Sequence, residues 1–130
     1  MKLDDFTDVA TEIITQSINE AKGGNKPAVP EFLLRAMITH ENSPIPSILV
    51  DYKIEKSKLT DRIDEYLSIL PEEIDADDKD NNIVSVSPRF ISLLDRARKS
   101  ALDAGDTYVD TITVFKQFYT EGTETAPYQI

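Results

Sequence analysis

The chain has 130 residues, which suits one compact domain, and 40% of them are hydrophobic, enough for a single core. Its 24 acidic residues outnumber 14 basic ones for a net charge of -10, and no basic stripe carries interleaved aromatics, so nucleic acid and anionic membrane surfaces are not expected partners. No apolar run is long enough to span a bilayer, Met1-Lys2-Leu3-Asp4-Asp5 lacks the pattern of a signal peptide, and there is no cysteine for a disulfide, so a soluble cytoplasmic protein is expected.

Apolar residues recur at helical spacing throughout, and the reading is all-α. Phe6, Val9, Ala10, Ile13, Ile14, Ile18 and Ala21 step by threes and fours and predict a first helix, capped by Asp4 or Asp5 and stopped by Gly23-Gly24. Pro30 suits the first position of a second helix, with Glu31 near its positive end and Leu33, Leu34, Met37 and Ile38 inside. Ser43-Pro44 opens a third, predicted to bury Ile45, Ile48, Leu49 and Tyr52. A fourth carries Leu59, Ile63, Tyr66, Leu67 and Leu70, and Pro71 closes it.

Residues 71–86 are rich in Asp and Asn and poor in apolar groups, and are read as a solvated linker whose only strand-like stretch is Ile83-Val84-Ser85-Val86. Ser87-Pro88 then starts a fifth helix with Phe90, Leu93, Leu94, Ala97 and Ala101 inside and Gly105 at its end. Asp110 caps a sixth, with Val114, Phe115 and Phe118 inward.

The two halves resemble each other. An offset of 80 places Ile13 and Ile14 on Leu93 and Leu94 and Ala21 on Ala101; an offset of 81 places Pro30 on Thr111, Leu33 on Val114, Met37 on Phe118 and Pro46 on Pro127. The expected organisation is a single domain: repeat one over 3–70, the acidic linker over 71–86 and a partial repeat two over 87–130. The second copy stops at Ile130 inside its expected third helix, as a piece of a longer protein would.

No constellation for catalysis emerges. The four glycines form no phosphate loop, and the single histidine, His40, near the end of the second helix, suits interaction with the helix dipole better than a triad or metal site. A calcium loop begun at Asp78 would put Ile83 where glycine is needed and Arg89 where the bidentate Glu belongs.

The ordered set of Met1-Lys2-Leu3-Asp4-Asp5-Phe6-Thr7, Leu70-Pro71, Val86-Ser87-Pro88-Arg89-Phe90, Leu94-Asp95-Arg96-Ala97 and Gly105-Asp106-Thr107-Tyr108-Val109 resembles the Clp N-terminal repeat domain, closest to its ClpB branch. The resemblance implies two pseudo-symmetric four-helix repeats with a groove between them. It implies a module that binds unfolded or aggregated client segments, or an adaptor protein, for an ATP-driven hexameric unfoldase. On that view the chain is a monomer that holds no cofactor, and ATP and magnesium belong to separate ATPase modules. A ClpC-like regulatory domain or a stand-alone repeat protein is the alternative.

By resemblance, Thr7 and Asp106 match polar positions of the groove, and Tyr108 and Val109 its apolar wall. Taken alone, Thr7 reads as a local helix hydroxyl, Asp106 as a turn residue, and Tyr108, Val109 and Ile112 equally as core. Glu31 keeps the acid of the family's second-helix signature, whereas Ile112 stands at its position in the second copy. Relatives of the ClpC branch bind phosphorylated arginine through such paired acids, so the loss at Ile112 weighs against that activity and favours apolar clients.

Overall fold

The computed structural model of the protein describes residues 2–71 and 86–120. Six helices account for its regular structure: α1 (Asp8–Gly23), α2 (Pro30–Thr39), α3 (Ile45–Asp51), α4 (Lys56–Ile69), α5 (Pro88–Asp103) and α6 (Thr111–Thr120). The described residues contain no named strand, only the isolated parallel bridges Phe6–Val109 and Ala28–Val86. The all-α expectation holds.

Helices α1, α5 and α6 start on short polar side chains. Thr7 caps α1 by accepting the Ala10 N–H at 3.3 Å, and Ser87 caps α5 by accepting the Phe90 N–H at 3.2 Å. The first cap corrects the expectation that Asp4 or Asp5 would serve, because both lie in a turn ahead of the helix, closed by the Phe6 N–H on the Leu3 carbonyl at 3.0 Å. Asp110 caps α6, accepting the Thr113 N–H at 2.8 Å.

Helices α1 and α5 end in the same way. Asn25 stands at φ 55 and Gly105 at φ +81, each in the left-handed region just past the C-cap. The Lys26 and Asp106 N–H groups then reach back to the carbonyls of Ala21 and Ala101, both at 2.9 Å. These two Schellman turns are related by the offset of 80 read from the helical stripes, and α2 and α6 begin at positions related by 81.

Helix α2 is the centre of the molecule. Helices α1, α3, α4, α5 and α6 all pack on it, so it is buried nearly all round, with Leu33, Ala36 and Met37 fully enclosed. The stripes of α1 (Ala10, Ile13, Ile14, Ala21) and α5 (Phe90, Leu93, Leu94, Ala97, Ala101) close the same core, each large side chain gaining about 1.5–3 kcal/mol from burial. Ser17 and Gln117 are buried with their side chains donating to the carbonyls of Ile14 at 2.6 Å and Thr113 at 3.1 Å.

The periphery of α2 is polar. Arg35 joins Asp64 of α4 at 3.1 Å and Glu20 of α1 at 3.9 Å, and its guanidinium lies over the Phe32 ring. His40, the C-cap residue of α2, accepts the Asn42 N–H on Nδ1 and faces Glu12 with Nε2 at 3.4 Å, a structural tie to α1. Tyr52 departs from its predicted core position: it is the C-cap of α3, 73% exposed, because the helix ends before a further turn can carry the ring inward. The linker residues 72–85 and the expected match of Pro127 to Pro46 lie outside the described residues.

Gly105→Ala should cost about 1–2 kcal/mol, since no atom crowds a Cβ at that position and only the left-handed backbone opposes it. The urea unfolding midpoint of the variant checks this.

Candidate functional site

The chain crosses between its halves twice. At the first crossing the lead-in to α1 lies against the lead-in to α6: Val109 N–H donates to the Asp5 carbonyl at 2.8 Å, and Thr7 N–H donates to the Val109 carbonyl at 2.9 Å. At the second, Ser87 N–H donates to the Ala28 carbonyl at 3.1 Å. Offsets of 80 and 81 carry Thr7 onto Ser87 and Ala28 onto Val109, so the two crossings are the same junction used in both directions.

Five of the six residues singled out by sequence gather at the Phe6–Val109 crossing. Thr7 is half-buried, its hydroxyl taken up by the α1 cap. Val109 is only 3% exposed and belongs to the core, so it forms no wall for a partner; the extended backbone there turns its side chain inward. Asp106 is exposed in the turn after α5. Tyr108 is 56% exposed and Ile112, on the first turn of α6, is 37% exposed.

Glu31 sits at the other crossing. It is fully buried, and its Oε2 pairs with Nη2 of Arg89, on the first turn of α5, at 3.2 Å. As a surface contact for a ligand it is therefore corrected: its carboxylate faces the protein's own arginine. The offset of 81 places Ile112 opposite, so one junction carries a buried ion pair and the other an apolar side chain half in water.

Two features escaped the sequence reading. Leu102 is 76% exposed on the last turn of α5, beside the turn that leads to Tyr108; it lies one residue off the buried stripe, which was the available signal. Asp103, Asp106 and Asp110 surround this segment, all exposed and none in an ion pair among the described residues, so an apolar edge is framed by negative charge. The second feature is Arg98. It donates to Asp5 at 2.9 Å, to Asp95 at 2.9 Å and to the Lys2 carbonyl, and lies over the Phe6 ring at 5.0 Å, which fastens the N-terminal lead-in onto α5. Asp95 is its neighbour one helical turn back, but Asp5, Lys2 and Phe6 lie too far away in sequence for local spacing to reveal them.

One open depression, lined by Lys2, Asp4, Asp5, Ile91 and Arg98, reaches the crossing through Asp5, and two others lie elsewhere. One on α1 is lined by Thr11, Glu12, Thr15, Gln16, Asn19, Glu20 and His40, and its counterpart on α5 by Pro88, Ile91, Ser92, Asp95, Arg96 and Lys99. Neither includes a residue of the Val109 crossing. Among the described residues no cluster of His, Asp and Glu is placed to hold a metal ion, and no helix is long and apolar enough to cross a membrane.

The model of the Clp repeat (R) N-terminal domain matches residues 5–128, nearly the whole chain. The chain belongs to the Clp N-terminal domain family. The N-terminal domain (1-163) of the ClpV1 ATPase from the E. coli EAEC Sci1 T6SS is similar at a TM-score of 0.81 and 11% identity, over 95% of this chain and 72% of that one. A structure described as a peptide from the EAEC T6SS Sci1 SciI protein is similar at 0.79 and 11% identity, over 95% and 74%. The Hsp104 N-terminal domain from Candida albicans follows at 0.74 and 21% identity, over 88% and 73%. At these identities the likeness is one of fold. No curated protein matches this chain.

The Glu31–Arg89 pair makes a stability prediction. Arg89→Met strands a buried carboxylate and should cost about 3 kcal/mol, whereas Glu31→Leu combined with Arg89→Met should recover most of that loss. Urea unfolding of the two variants and the parent checks it.

Proposed function

We propose that this domain is a client- or adaptor-docking module of a ClpB-like unfoldase, which binds polypeptide and carries out no chemistry of its own. The observation that carries the reading is the edge formed by Leu102, Tyr108 and Ile112: three large apolar side chains held in water beside the junction of the two repeats. The residues that resemble the ClpB branch include this same Gly105-to-Val109 segment. ATP, magnesium and a hexameric ring belong, on this reading, to ATPase modules of a longer protein, and the setting is cytoplasmic.

Such an edge gains about 25 cal/mol for each Å² of apolar surface removed from water, and the ordering of an unfolded segment offsets much of it. Single-site affinity is therefore weak and becomes useful when several copies act together. Tyr108 is the expected anchor, since its ring offers apolar area and its hydroxyl a polar tip. The arrangement of acids does not support phosphoarginine binding, because Glu31 already holds Arg89 and Ile112 offers no carboxylate.

The ClpC-like or stand-alone regulatory alternative draws on the similar structure described as a SciI peptide, from the same secretion system as the ClpV1 domain. A peptide named beside this fold suits adaptor docking.

A titration with a reduced, carboxymethylated and permanently unfolded protein, followed by backbone amide NMR, tests the reading. Shifts should cluster on Thr7, Asp106, Tyr108 and Ile112, and Tyr108→Ala should weaken binding about tenfold with the remaining spectrum unchanged. Shifts that are absent, or spread over the acidic surface, would turn the assignment to an adaptor site.

A further inference from the structure

Tyr108, the anchor of the docking edge, stands in a bend between two fixed points. On one side the Asp106 N–H is held by the Ala101 carbonyl at 2.9 Å, in the turn that ends α5. On the other the Val109 N–H is held by the Asp5 carbonyl at 2.8 Å. The Tyr108 Cα and carbonyl share one rigid peptide plane with the Val109 N–H, so the direction of that hydrogen bond constrains where the Tyr108 side chain departs.

Asp5 is itself tied at both ends. Its carbonyl takes the Val109 N–H, and its carboxylate takes Nε of Arg98 at 2.9 Å. Arg98 commits every guanidinium nitrogen to this corner: Nε to Asp5, Nη1 to Asp95 at 2.9 Å and Nη2 to the Lys2 carbonyl. Its Cζ also lies 5.0 Å from the centre of the Phe6 ring. A planar fork with fixed donor directions suits these acceptors together, whereas a lysine ammonium on a flexible stem does not hold them in one geometry. Phe6 is buried and Leu3 packs partly against the core, but the polar part of the lead-in borders the open depression lined by Lys2, Asp4, Asp5, Ile91 and Arg98. There the fork, and not packing, holds the chain.

The first half carries no such fork. The offset of 80 places Ile18 on Arg98 and Thr15 on Asp95, and Ile18 packs partly against the core. At the Ala28 crossing the halves are bridged instead by Arg89, whose partner Glu31 is fully buried. The Arg98–Asp5 pair stands partly in water, with side chains 29% and 47% exposed. A pair of that kind adds little to the stability of a whole domain, so its effect is local.

We propose that Arg98 is a positioning residue for docking: through Asp5 and Val109 it holds Tyr108 in the orientation that meets a client, and freeing the lead-in from α5 lowers client affinity without unfolding the domain. A ring held in advance loses less freedom when a client covers it, so less of the contact energy goes into ordering. The lead-in thereby becomes a control point, since displacing residues 2–6 from Arg98 loosens the anchor on the other side of Val109. The inference rests on the docking reading above and adds what keeps its anchor in place.

The test titrates the full chain, labelled with nitrogen-15, with the reduced, carboxymethylated and unfolded protein. Arg98→Gln should weaken binding about fivefold, the size expected when one more side chain must be ordered on binding. Its Val109 amide should exchange with solvent about tenfold faster, while exchange at the Asp106 amide and the urea midpoint keep the parent values. Asp5→Ala should reproduce both changes, and Arg98→Lys, which keeps the net charge, should not restore binding. In the Tyr108→Ala background Arg98→Gln should change affinity no further, because its route runs through the ring. If Val109 exchange quickens while affinity holds, docking stands and the positioning role is overturned. Equal losses from Arg98→Gln with and without the Tyr108 ring overturn it too. So does a lower urea midpoint with faster exchange at Asp106, which marks a general structural role. If the parent does not bind the unfolded protein, the docking reading falls and this inference with it.

Discussion

The exchange of lead-in segments between the two halves is the constraint on which the rest of this structure depends. Each long first helix, α1 or α5, is preceded by an extended residue that pairs with the other half before the second helix of that half begins. Backbone groups at those positions must be satisfied because Phe6, Ala28 and Val109 are buried. Once the two crossings are made, the caps Thr7 and Ser87 and the Schellman turns after α1 and α5 fall into place by the same offset. Neither half is complete without the other, and α2, packed by every other helix, is their shared core.

Two junctions of one design have been given different chemistry. At the Ala28–Val86 crossing a buried carboxylate meets an arginine from the opposite half, flanked by prolines that remove main-chain donors. An ion pair of this kind contributes little net stability relative to apolar packing, but it tolerates only one arrangement of its partners. At the Phe6–Val109 crossing the corresponding position is Ile112, the prolines are absent, and Tyr108 stands in solvent. One junction buries an ion pair while the other leaves apolar side chains in water, although both follow one two-fold plan.

Charge frames that edge. The acidic balance of the whole chain was read first as solubility, and for most of the surface nothing in the structure asks for more. Around Leu102, Tyr108 and Ile112, Asp103, Asp106 and Asp110 are all exposed, with Lys99 and Lys116 one helical turn from Leu102 and Ile112, while Arg89 and Arg98 of α5 pair with Glu31 and Asp5 at the two crossings. These three acids are ordinary cap and turn residues.

The helices, their order, the core stripes and the duplication were legible in the sequence, because each rests on interactions within a few residues: helical periodicity, a hydroxyl or carboxylate cap, a glycine free to adopt positive φ. The family followed from ordered short motifs for the same reason. Burial around the turns was less legible. Val109 was left between core and groove wall, Glu31 looked like a surface contact and Tyr52 like core, since a single residue's exposure is decided by what lies across from it. Arg89 finds Glu31, Arg98 finds Asp5, and Val109 finds Thr7 only when distant segments meet. Local rules of chain geometry therefore determined the elements and their pairing by repeat. Which junction carries a buried ion pair and which leaves apolar side chains in water was decided by the tertiary structure, because hydrogen bonds and ion pairs between remote residues exist only after the halves have exchanged their lead-ins.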